Sequence, residues 1–105
     1  MTICEFVNVL LSCCDAVYHF EANQEKGDYI IWHEIGSKYL HADNRAAEEA
    51  VRIAVDFYSK KEFPDVPAKL KCAFNNSNSI AFRGPEIIYQ QETKVKQYSY
   101  TVEVT

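Results

Sequence analysis

The sequence predicts an α+β fold, a small antiparallel sheet with two helices on one face, in the order α-β-β-β-α-β-β. Three observations predict it. Apolar residues recur at helical spacing near the N-terminus and again at Val66, Leu70, Ala73 and Phe74. Near the C-terminus Tyr98, Tyr100, Val102 and Val104 alternate with Gln97, Ser99, Thr101 and Glu103, the period of a half-exposed strand. Between them, Tyr29 to Ile35 is apolar on both faces at its start, as a central strand should be. The chain has 105 residues and forms a single domain, residues 1–105, large enough for a core without disulfide staples.

In the first helix, Ile3, Phe6, Val7, Leu10, Leu11, Cys14 and Val17 share one face, and Thr2-Ile3-Cys4-Glu5 is a capping box. The run FVNVLLSCC also has the look of a short export signal, and LLSC of a lipoprotein cleavage site. No Lys or Arg precedes it, however, and Glu5 stands where positive charge belongs, so a packed helix is expected. Val17 to Ala22 alternates as a strand with Tyr18 and Phe20 on one side. Asn23 to Asp28, NQEKGD, reads as a hairpin connection into the strand Tyr29 to Ile35. Gly36-Ser37 ends that strand, and KYLHADNR continues as an irregular excursion.

Glu48 to Lys60 fits two patterns. Its Ala and Glu content suits a helix, but β-branched residues at 51, 53 and 55 favour a strand. A second helix follows, with Asp65 as cap and Pro67 in its first turn, ended by the Asn and Ser cluster at 75–79. Ile80-Ala81-Phe82 opens a strand broken by Arg83-Gly84-Pro85, and VKQYSYTVEVT closes the chain as the last strand.

Composition narrows the function. Hydrophobic content of 48% with 25% charged residues is that of a globular protein. The net charge is −4 and no basic cluster exceeds Lys60-Lys61, which argues against nucleic-acid binding as the main role. No run approaches the ~20 apolar residues of a membrane span. The four Cys include no CxxC pair, and reduced thiols are expected. His19, His33 and His41 form neither HxH nor HExxH, so no metal site is expected. No nucleophile signature surrounds any Ser or Cys, Glu48-Glu49 lacks an acid-base context, and three glycines cannot build a phosphate loop. No cofactor is implied, and assembly or binding is favoured over catalysis. Seven Tyr and six Phe suit either a core or a protein contact, and both readings stand for Tyr98 and Tyr100.

The strand YIIWHEIG, the segment SKYLHADN, a strand closing in DFYSKKEFPD, a capped helix and a final YSYTVEV together resemble one family. It comprises the tail-completion or tail-terminator (head-to-tail joining) proteins of long-tailed bacteriophages and prophages of Gram-positive hosts. The likeness covers roughly residues 18–104 and is carried by Gly36-Ser37, Ala42-Asp43-Asn44 and Tyr58-Ser59-Lys60-Lys61. The short first helix and the long last hairpin depart from the family pattern. The resemblance implies that Val51 to Tyr58 is a strand. It implies a structural virion protein, assembled in the host cytoplasm as a ring, commonly a hexamer, at the head-proximal end of the tail. Its partners would be sister copies, the tail tube protein and the head-side connector or stopper, with DNA only passing through the channel and no membrane involved. The loops 36–44 and 83–92 are then expected at interfaces, through Tyr39, His41, Asp43, Asn44, Arg83 and Glu86, together with Tyr98 and Tyr100 in their contact reading. The alternative is a small phage- or bacterium-encoded α+β module that captures a host protein as a monomer or dimer. An enzyme built around His33 or His41 is the third reading.

Overall fold

A computed structural model describes residues 1–22, 27–42 and 45–105, with the backbone alone for 37–42 and 45–49. The elements are α1 (Ile3–Cys13), β1 (Val17–His19), β2 (Tyr29–Ala42), β3 (Arg45–Ser59), α2 (Val66–Asn75), β4 (Ile80–Gln90) and β5 (Val95–Val104). This is the expected order, and the ambiguous stretch before α2 is strand. Its alternation of Ile53, Val55 and Phe57 with Ala54, Asp56 and Tyr58 outweighs the local Ala-Glu helix propensity, because it lets one side pack in the core.

The five strands lie in the order β1-β2-β3-β5-β4. Strands β2, β3, β5 and β4 pair antiparallel in turn, but β1 runs parallel to β2, with Val17 opposite Ile30 and His19 opposite Trp32. The sheet is therefore mixed, and the expected β1–β2 hairpin is corrected. The cause is local. Phe20 takes φ +67, and the Glu21 N–H donates to the His19 carbonyl at 2.9 Å, turning the chain out of the strand after three residues. Phe20 N–H still closes the parallel ladder on the Trp32 carbonyl at 2.9 Å.

One face of the sheet carries Ile30, Trp32, Ile53, Val55, Phe57, Tyr98, Tyr100, Val102 and Val104, and both helices cover it. Phe6, Leu10 and Cys13 bury the inner stripe of α1, while Leu11 stays exposed; Val66, Leu70 and Phe74 do the same for α2. The Phe6 and Phe74 rings stack at 6.2 Å where the helices meet. The Thr2 capping box forms as expected, with Glu5 N–H donating to Thr2 Oγ1 at 3.1 Å and Thr2 N–H to Glu5 Oε1 at 3.0 Å. Asp65 sits at the N-cap of α2 without capping it; its carboxylate takes Lys69 Nζ at 3.2 Å instead.

Two further expectations change. The strand does not end at Gly36-Ser37: a bulge between Glu34 and Gly36 absorbs the break, and β2 continues to Ala42 against β3. Likewise Arg83 to Gln90 is not a loop but part of β4, which bulges between Arg83 and Glu86 and resumes its pairing with β5. Gly84 makes this possible. It lies at φ +115, and a Cβ there would stand 2.7 Å from the Ser99 carbonyl oxygen.

Candidate assembly surfaces

Strand lengths create the first surface. Strands β2 and β3 span 14 and 15 residues, but β3 pairs with β5 only from Val51 to Ser59. Arg45 to Ala50 therefore pairs with β2 alone, as a two-stranded arm that reaches roughly 20 Å past the body at strand rise. With it the molecule measures 51 × 24 × 23 Å. A two-stranded ribbon is marginal by itself in water, so an arm of this kind gains most from a surface to lie on.

The second surface is the sheet face turned away from the helices. Tyr29 and Tyr58 stack there at 4.9 Å, and Arg52 meets Glu103 at 3.5 Å. An open depression of about 610 Å³ runs along it, lined by Tyr29, Ile31, Tyr58, Lys60, Gln90 and Val95 among others.

The sheet edges are the third. Along β4, three consecutive residues, Ile87, Ile88 and Tyr89, are 58%, 44% and 53% exposed. A lengthy apolar edge is a template for pairing with another chain, and the bulge at Gly84-Pro85 blunts only its first half. At the opposite edge, Phe20 is 59% exposed at the end of β1 and its ring packs between those of His19 and His33, at 4.4 and 5.6 Å.

The residues expected at interfaces are distributed unevenly over these surfaces. Tyr39 and His41 lie on the arm, opposite Glu49 and Ala46. Asp43 and Asn44, and the side chains of Tyr39 and His41, lie outside the described residues. Arg83 and Glu86 are exposed on β4, on either side of its bulge. Tyr98 and Tyr100 are corrected: they are 8% and 1% exposed, packed on Phe57 and Phe74, and cannot meet a partner in this fold. The signal was in the pattern, since both share a strand face with Val102 and Val104 whereas the polar set faces out. No motif in the sequence announces the β4 edge itself. Ile87-Ile88-Tyr89 is apolar on both faces of its strand, and that was the available sign.

At the end of the β2–β3 pair away from the arm, a polar anchor joins the start of β2 to the end of β3. Ser59, 1% exposed, donates from Oγ to Asp28 Oδ1 at 2.8 Å and accepts from Lys61 N–H at 3.1 Å. Lys61 Nζ completes it at 3.3 Å from Asp28 Oδ2. The Ser-Lys-Lys segment singled out in the sequence thus serves as an internal clasp.

Chemistry elsewhere is sparse. Among the described residues, no three His, Cys, Asp or Glu side chains gather as a metal site. Burial pushes the Cys13 and Cys14 thiols up from their ordinary range, which makes them poor nucleophiles. His19 stacks on Trp32 at 4.1 Å with Nε2 on the Glu34 carboxylate, a surface contact at the β1 edge. No helix among the described residues is long and apolar enough to cross a membrane. Comparison with known proteins finds no family model and no curated sequence that matches the chain.

Proposed function

We propose that this chain is a structural phage protein that forms a ring on the head-proximal end of a tail tube, ends tube growth and joins the tail to the head connector. The observation that carries the reading is the two-stranded arm. Its position beyond the body leaves it with no third strand among the described residues, and a ring of sister copies on a tube end offers it one. Two unlike sheet edges supply the two different faces that a head-to-tail ring requires. The sequence resemblance to tail-completion proteins, strongest between residues 29 and 65, supports the same reading. The net charge of −4 suits a channel through which DNA slides, because cationic contacts to phosphate would hold it.

Electron microscopy of the purified protein mixed with tail tubes tests this directly. A terminal ring on the tubes is the expected result; bare tube ends together with a tight complex with a host protein would instead support the binding-module reading. Replacing Asp43 and Asn44 by Ala, between β2 and β3, is expected to leave the fold intact and lower the yield of joined particles. Normal joining would remove that segment from the interface.

A further inference from the structure

We infer, resting on the ring reading above, that neighbouring copies join edge to edge: the β4 edge of one copy pairs antiparallel with the β1 edge of the next and continues the sheet. Strands β1 and β4 are the two outer strands of the sheet, so each copy offers both halves of the seam. Their directions are right. Strand β1 runs with β2, and three successive antiparallel pairings then set β4 opposite to it. Copies set side by side keep those directions, and antiparallel pairing is the more stable kind.

The register is right as well. A single row crosses the sheet through Val17, Ile30, Phe57, Tyr98 and Ile87. The next row runs through Tyr18, Ile31, Asp56, Ser99 and Glu86. Extending these rows into a neighbouring copy sets Ile87 against Val17 and Glu86 against Tyr18, with Ile88 and Tyr89 passing Ala16 and Asp15. The exposed apolar residues of β4 thus meet the half-buried Val17 and Ala16.

Charge complements this at both ends of the seam. Beside Tyr89 stand Lys60, Lys94 and Lys96, which with Glu62 border one shallow depression and leave it net basic. Asp15, exposed just before β1, lies on the same level. At the far end, Arg83 pairs with Thr101, which shares a row with Ala54 and His33, so it arrives beside Phe20 and Glu21 of the next copy. Both Phe20 and Glu21 are exposed, and Phe20 is held outward at φ +67. The β4 edge thus carries Arg83 at one end and a net basic cluster at the other, while the β1 edge carries Asp15 and Glu21.

Charge exchange tests the seam, read by sedimentation velocity. The double variants Arg83→Glu with Lys94→Glu, and Asp15→Lys with Glu21→Lys, are each expected to weaken self-association by at least about tenfold. These side chains are exposed, so circular dichroism should show both variants folded. An equimolar mixture should regain assembly, because each altered edge then finds its complement and each native edge finds the other. Failure of the mixture to recover, a β1 variant that associates like the wild type, or a wild-type chain that stays monomeric up to its solubility limit would each overturn the seam. The same variants on tail tubes separate the two ideas. Rings that form on tubes regardless of all four substitutions remove the seam and keep the proposed function. Association through the seam without any ring on tubes does the reverse.

Discussion

Tyr100 combines deep burial with an unmet polar group. It is 1% exposed, and its hydroxyl has no hydrogen-bond partner, the only such buried side-chain atom among the described residues. Burial, with Tyr98 nearby, pushes its phenol up to about 12. Below pH ~10 both folded and unfolded chains hold this proton, and between 10 and 12 only the unfolded chain releases it. Stability is thus intact below pH ~10 and falls by up to roughly 3 kcal/mol as pH rises through that window. Tyr100→Phe keeps the edge contact with Phe74 and removes the orphan hydroxyl. Urea titration should find it as stable as the wild type, or more so by about 1 kcal/mol, and with a shallower alkaline decline. Ser59→Ala has the opposite sign. It strips a donor from the Asp28 carboxylate and an acceptor from Lys61 N–H, and should cost about 1–3 kcal/mol in the same titration. Neither role was legible in the sequence. A Tyr in an alternating strand declares its side, but not whether its hydroxyl finds a partner; a Ser before two Lys reads as surface.

At the level of elements, the local patterns were mostly legible and the interruptions were not. The capping box of α1, the Pro-started α2 and the alternation of β5 each follow from short-range chemistry and appear as expected. Gly36 and Gly84-Pro85 have the sequence signature of strand ends, yet a bulge lets backbone pairing resume beyond each of them. The direction of β1 depends on a non-glycine residue at positive φ, which no composition rule anticipates. Gly84→Ala should therefore be severe. It combines a strained φ with a clash against the Ser99 carbonyl, and is expected to cost about 1–3 kcal/mol and to loosen amide protection along β4 and β5. Replacing residues 38–48 by a tight turn should be mild, within about 1 kcal/mol by urea titration, because a two-stranded ribbon adds little to its own fold. The same deletion should abolish ring formation on tubes.

Across the whole molecule, the helices and sheet enclose one core, and the thiols report on its integrity. Cys13 and Cys14 are buried and carry raised pKa values from burial, whereas Cys4 and Cys72 are exposed. An aromatic disulfide reagent should react with two thiols quickly and with two only as slowly as the protein opens, and with all four at one rate in strong denaturant. Four equally fast thiols in the native protein would mean that α1 does not dock as described. The long axis has a mechanical consequence. The arm is not an appendage on a loop but the continuation of β2 and β3, the middle of the sheet. Hydrogen bonds between antiparallel strands lie across the strand direction. Tension applied at the arm's end and directed along β3 would load the rungs from Val51 to Ser59 together, in shear, and not peel them one at a time. A tug on the tip is thus resisted by the body as a unit.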